Sequence, residues 1–278
     1  MEKIKRPESY IGISGVINPE QQTELEGFAD SLGFSSLRRR LMLGVKATHK
    51  TQFMDIENKY GADWYPVGEN IKDTITPRTE NNNSLYIAQA YFDIDLVGDQ
   101  QYRDDFSRKI FERGATWIDG IQFDMLPWHT HPAMIQFLES LKQQYDAKIF
   151  LQCHKNAMDE LGPDGVVEKL KDYAHTIDYA LFDSSHGTGT KLDVDKLQSF
   201  IEPAYASTDL QSIGLAIAGG LNGDIVRSEL PAILSNYPDL SWDAEGQLHP
   251  ATPSGARPLN MKVVQEYLAN SADVIEKL

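Results

Sequence analysis

FDSSHGTGTKLD, residues 182–193, and AIAGGLNGDIV, residues 216–226, are the two stretches that decide the reading of this chain. Each begins as an apolar β run, breaks at a glycine-rich turn and passes into a helical pattern. The first carries Asp183 at its strand end and Gly187 and Gly189 in the turn; the second carries the pair Gly219-Gly220. Glycines at a strand-to-helix turn let backbone N–H groups approach an anion, and the helix that follows adds the positive end of its dipole. Two such turns one β/α unit apart, with a carboxylate at one strand end, exceed what turn chemistry alone requires.

The same alternation extends in both directions. Strands are expected over 10–16, 40–46, 84–92, 117–123, 148–153, 179–183, 213–218 and 240–243, eight in all. Helical spacing of apolar residues marks 19–33, 99–115, 132–145, 164–175, 193–205 and the C-terminal 259–278. Strict alternation of strand and helix predicts a parallel sheet with helices outside, and eight repeats predict closure into a single (β/α)8 TIM barrel spanning residues 1–278. Active-site groups then belong at the C-terminal strand ends. The irregular part is the long loop after strand 2, residues 47–83, which reads either as a lid above the barrel or as an insertion without fixed structure.

Bulk composition agrees with this α/β class. A chain of 278 residues with 41% apolar content can bury one large core. One cysteine excludes a disulfide framework and matches a reducing, cytoplasmic compartment. The apolar stretch near the N-terminus is short and broken by glycine, so it reads as a strand rather than a signal or membrane segment. A net charge of −15 excludes a nucleic-acid partner. The expected partner is a small anionic or sugar-like molecule, bound by a monomer or homodimer, with no membrane association. An anionic substrate requires a local positive site.

The turns, together with IQFD at 121–124, give the chain a resemblance to the phosphoribosylanthranilate isomerase family of the ribulose-phosphate-binding barrels. It is strongest over residues 117–226. FDSSHGTGTKLD resembles that family's sixth-strand segment, AIAGGLNGDIV its seventh, and Gln122 falls in its fourth-strand motif. The resemblance implies that Asp183 is the general acid of an Amadori rearrangement, protonating the furanose ring oxygen. It also implies a substrate site of Ser14, Lys50, Gln122, His186, Gly187, Gly189, Gly219, Gly220 and Gly246, with the backbone at Gly219 and Gly220 receiving an anionic group. Such a reaction uses acid–base chemistry, so no cofactor and no metal are expected.

The chain departs from that pattern at three places. The family's catalytic cysteine, the base at the end of the first strand, is replaced by Ser14, whose hydroxyl is too weakly acidic to serve as a standing base at neutral pH. After the eighth strand the chain reads WDAEG, placing Asp243 and Glu245 where a phosphate is expected. The family's substrate-binding arginine falls near Lys50, which keeps the charge but not the bidentate fork.

Candidates for the missing base are Asp124, which ends strand 4, and a histidine at the barrel rim, His154 first among them. Six of the seven histidines, His49, His129, His131, His154, His186 and His249, lie in expected strand-to-helix loops. Two carboxyls such as Asp124 and Asp183 can divide acid and base roles if their surroundings separate their pKa values. Three other readings stay open. His129-x-His131 with Asp124 and His154 supplies metal-ligand types, giving a metal-dependent lyase or hydrolase. Lys46 or Lys155 suits a Schiff-base lyase, and a barrel that keeps its cup without turnover is a binding protein. Cys153 reads as a small buried apolar residue, and Trp128 as either core or a substrate-stacking ring.

Overall fold

The computed structural model describes residues 6–67, 71–75, 83–114, 117–183, 185, 192–253 and 256–278. Eight parallel strands close into a barrel in sequence order: β1 (Tyr10–Ser14), β2 (Arg40–Thr48), β3 (Leu85–Tyr91), β4 (Gly120–Asp124), β5 (Lys148–His154), β6 (Tyr179–Asp183), β7 (Gly214–Ala218) and β8 (Ser241–Ala244). Closure is made by β1 on β8, with Ile11 opposite Trp242 and Ile13 opposite Ala244. The strand order and the parallel, closed (β/α)8 architecture are those read from the sequence.

Seven α-helices surround the barrel among the described residues: α1 (Pro19–Ser31), α2 (Gln100–Gly114), α3 (Ala133–Tyr145), α4 (Lys155–Lys171), α5 (Val194–Ala206), α6 (Gly223–Leu234) and α7 (Met261–Glu276). Several start where a side chain caps them. Asn18, Asp193, Asn222 and Asn260 each accept the N–H three residues on, satisfying donors that the first helical turn leaves unpaired. Between β2 and β3 the described residues form a π-helical turn, His49–Phe53, and a 3-10 turn, Ile71–Asp73, instead of an α-helix.

Some boundaries differ from those expected. β4 starts at Gly120, not at 117, and includes Asp124. β2 runs on to Thr48. Helix α4 begins directly after β5, because His154 itself caps it by accepting the Ala157 N–H. The expected start at 164 coincides with a break in α4: Gly162 takes the non-helical φ 67°, ψ 175° ahead of Pro163, so α4 is two helical stretches joined at a kink and the second begins there.

Two apolar clusters separate the two faces of the strands. The larger joins alternate strand residues, Cys153 among them, to the helices. The smaller is built of strand residues such as Tyr10, Met42, Leu85, Phe150 and Tyr179, and plugs the barrel interior. Tyr10 meets Phe150 and Tyr179 edge to face, while Phe150 and Tyr179 stack at 4.4 Å. Inward positions change character along each strand. Tyr10, Gly12 and Ser14 follow one another on β1; Leu85, Ile87, Gln89 and Tyr91 on β3; Phe150, Gln152 and His154 on β5. Polar side chains replace apolar ones toward the C-terminal end. Room for them comes from glycine: a Cβ on Gly44 would stand 2.6 Å from Gln89 Cδ, and one on Gly12 would stand 2.7 Å from Asp243 Oδ1.

No helix among the described residues is long and apolar enough to cross a membrane.

Candidate active site at the C-terminal mouth of the barrel

At the polar end of the barrel a cleft opens between the ends of β4 to β8, with about 30 Å³ of room inside it. Asp124, Asp183, Asp243 and Glu245 all line it, as do Gln122, Gln152, Gly219, Gly220 and Gly246. A larger groove, about 530 Å³, lies outside the barrel between α2 and α3 and contains none of these strand-end groups.

Asp183 is held as a hydrogen-bond acceptor. Its Oδ1 accepts the Ser185 N–H at 2.8 Å and the Ser185 hydroxyl at 2.7 Å, and its Oδ2 accepts the Gln152 amide at 3.0 Å. Gln152 is itself oriented from the far side, since its Oε1 accepts the Met125 N–H at 3.1 Å. Met125 follows Asp124 and takes a left-handed φ of 60°, a conformation that costs a non-glycine residue about 1–3 kcal/mol. This backbone strain lies on the line Met125–Gln152–Asp183. Gly219, with φ 109°, closes in on the same carboxylate, and a Cβ there would stand 3.0 Å from Asp183 Oδ1.

Asp124 has different surroundings. It is buried, its Oδ1 accepts the Gln122 amide at 2.9 Å, and the Tyr91 hydroxyl stands beside it as a further donor. Burial raises its pKa to about 6 against the opposing charge of Lys46 and the Gln122 bond. Lys46 is fully buried between β2 and the mouth. Its ammonium pairs with Glu245 at 2.7 Å, donates to the Tyr91 hydroxyl at 2.7 Å and lies over the Tyr91 ring at 4.7 Å.

Asp243 lies deeper, taking the Ser14 hydroxyl at 3.1 Å, and Ser14 in turn accepts the Gln89 amide at 2.6 Å. Burial, helped by the charges of Glu245 and Asp124 and opposed by Lys46, lifts its pKa from 3.8 to about 8. The folded protein therefore holds a proton on Asp243 that the unfolded chain releases above the ordinary carboxylate range. Between about pH 4 and pH 8 this group makes stability fall as pH rises, with a slope approaching about 1.4 kcal/mol per pH unit. Urea unfolding at pH 5 and pH 8 is expected to show the wild type losing stability across that interval and Asp243→Asn losing much less. Equal pH dependence in both proteins would exclude Asp243 as the source.

Part of the loop after β2 crosses this end of the barrel. Trp64 stacks on His249 at 4.6 Å, the Arg257 guanidinium lies over Trp64 at 5.0 Å, and His249 joins the backbone oxygens of Ser14 and Arg257 at 2.9 Å each. The neighbouring Tyr65 phenol feels the charges of Glu245 and Asp124. This segment of the loop is packed.

The other expected site residues fall elsewhere. Ser14 is fully buried behind the cleft wall. Lys50 is exposed on the π-helical turn and is not part of the lining. His154 is buried as the cap of α4, its ring 5.5 Å from His129, which turns to Glu160. His131 is exposed. No group of three or more metal-ligating side chains gathers among the described residues. Lys155 pairs with Asp159 on the outside of α4, and Lys46 is committed to Glu245 and Tyr91. Trp128 is wholly buried and donates to the Gln152 carbonyl, so it is core and not a stacking platform. His186, Gly187 and Gly189 lie outside the described residues.

Sequence reading found Gln122 but missed Gln89, Gln152 and Tyr91. Their signal is present: Gln89-x-Tyr91, Gln122-x-Asp124 and Gln152-x-His154 end three consecutive strands, each with polar residues two apart on one face of an apolar run.

No family model and no curated protein matches the chain. Solved structures do share its fold. Triosephosphate isomerase from Bartonella henselae superposes with a TM-score of 0.54 at 12% identity, over 97% of this chain and 100% of that one. Ribulose-1,5-bisphosphate carboxylase/oxygenase from Pyrococcus horikoshii gives 0.52 at 10% identity, over 98% of this chain and 59% of that one. At such identities the likeness establishes the barrel and nothing finer.

Proposed function

We propose that the protein is an acid–base isomerase of a small, sugar-like substrate, related in manner to the phosphoribosylanthranilate isomerase-like barrels but working on another compound. The observation that carries this is the pairing of Asp183 and Asp124 on one cleft in unlike surroundings. Asp183 faces donors, which suits a carboxylate acting as base; Asp124 is desolvated with a raised pKa, which suits an acid. The resemblance casts Asp183 as the acid, and the hydrogen bonds favour the reverse. In the forward step Asp183 takes the proton from the carbon next to a carbonyl while Asp124 gives its proton to the carbonyl oxygen, forming an enediol. Asp183 then gives its proton to the former carbonyl carbon while the enediol's other hydroxyl gives its proton to Asp124, which forms the new carbonyl and restores both groups with no net redox change.

Incubation in heavy water with a panel of aldoses, ketoses and their phosphates, read by NMR, tests this. Deuterium is expected at the carbon next to the carbonyl, with a rate that falls as pH rises through about 6, where Asp124 loses its proton. Asp124→Asn is expected to flatten that limb. Absence of exchange across the panel would overturn the isomerase reading.

A further inference from the structure

The charge balance of the cleft bears on the class of ligand it takes. Four carboxyl groups stand on its walls, and none of the described residues lining it is a lysine, arginine or histidine. The nearby positive charge among the described residues, Lys46, is fully buried and already held by Glu245 and Tyr91. A phosphate laid against Gly219 would meet Asp183, because even a Cβ added at Gly219 would stand 3.0 Å from Asp183 Oδ1. Charge alone would make only an acidic cluster.

The second observation is Gln122. It is 2% exposed, lines the cleft, spends its amide N–H on Asp124, and leaves its Oε1 with no partner. A buried acceptor without a donor costs about 1–3 kcal/mol, and a ligand rich in N–H and O–H groups removes that cost. The carboxyls are spread along the wall of a cleft and form no compact group with metal-ligand spacing among the described residues. That distribution matches an extended organic cation better than a point charge.

We infer that the cleft binds a protonated, polyhydroxylated amine, an amino sugar or imino sugar, with its ammonium among the carboxylates and its donors on Gln122 Oε1 and Asp124. The inference rests on the sugar-site reading above and replaces its choice between anionic and neutral substrates.

Titration calorimetry at pH 7 separates the two. The probes are glucosamine, galactosamine and mannosamine, each against its parent hexose, with glucose 6-phosphate and 1,4-diaminobutane, in low salt and in 0.5 M salt. At least one amino hexose is expected to bind at least about tenfold more tightly than its parent, an advantage that shrinks in high salt. Glu245→Gln, which removes one carboxylate and frees Lys46, is expected to cancel the advantage while keeping the circular dichroism spectrum. Asp124→Asn is expected to reduce it as a second, independent variant. Equal affinity for amino and parent sugars would leave a sugar site and overturn the cation preference. Binding of diaminobutane with no sugar bound would overturn the sugar-site reading and leave the cation preference. Tighter binding of glucose 6-phosphate, or no binding by any probe, would overturn the inference.

Discussion

Asp183→Asn is expected to lower turnover by about 10²–10⁴-fold, the contribution of one positioned acid–base group, while affinity for an uncharged sugar ligand stays within a few-fold of wild type. The substitution keeps the volume and removes the proton-accepting charge. It also disturbs a directed chain of hydrogen bonds. If the new amide oxygen stays with the Ser185 donors, its NH2 faces the Gln152 amide, donor against donor. If Gln152 turns over to answer it, the Met125 N–H loses its acceptor. Either way one buried donor goes unpaired, at a cost to stability of about 1–3 kcal/mol. Ser185→Ala provides the graded control, since it removes one donor and leaves the carboxylate. Its loss of turnover is expected to be smaller than that of Asp183→Asn. Unchanged turnover in Asp183→Asn would move the base elsewhere. A wild type that binds ligand but turns over nothing is the binding-protein alternative, for which Asp183→Asn has no rate to remove.

Lys46→Met is expected to carry the largest stability loss, about 3 kcal/mol, the low end of the range for breaking a buried ion pair from one side, because the Glu245 side chain left behind is 27% exposed. Lys46 has no exposed surface, and its ammonium answers Glu245 and Tyr91 directly while lowering the proton affinities of Asp124 and Asp243. Methionine fills the space without the charge. Glu245 then loses its partner, and Asp124 and Asp243 are driven further toward their neutral forms. The double variant Lys46→Met/Glu245→Gln is expected to recover much of the loss, because it removes the stranded charge as well as its partner. Urea unfolding at pH 7, followed by tryptophan fluorescence, measures both proteins. A loss below about 1 kcal/mol in the single variant would mean that water reaches the pair and screens it as it does an exposed one.

The strand order, the barrel and two of the carboxylates at its mouth were legible in the residues themselves. Alternation of apolar strand and amphipathic helix is a local signal, and eight repeats of it admit few closed arrangements. Asp124, Asp183 and Gly219-Gly220 could be placed at one rim because each stands at the end of a run that reads as a strand, and all parallel strands of a barrel end on the same face. Boundaries were less legible. Trp117 to Asp119 continue an apolar-looking run that the structure ends only at Gly120, and the start of α4 depends on a histidine cap that no periodicity reveals.

Roles within the site were decided by the tertiary structure. Lys46, Tyr91, Asp124, Asp243 and Glu245 come from β2, β3, β4 and β8 and the turn that follows β8, and no spacing in the chain says that they share one buried charge balance. Asp243 and Glu245 read from the sequence as obstacles to a phosphate; folding makes one the partner of Lys46 and the other a carboxyl that keeps its proton to about pH 8. Gln152 reads as one polar residue in an apolar strand, and only the fold places it between the Met125 N–H and Asp183. The physical reason is range. Periodicity and turn chemistry act over a few neighbouring residues, so the sequence alone determined the barrel and which strand ends face its mouth. Proton affinity and hydrogen-bond direction depend on burial and on groups brought together from distant strands, so only the tertiary structure decided which carboxyl accepts, which holds a proton and which is bound to the lysine.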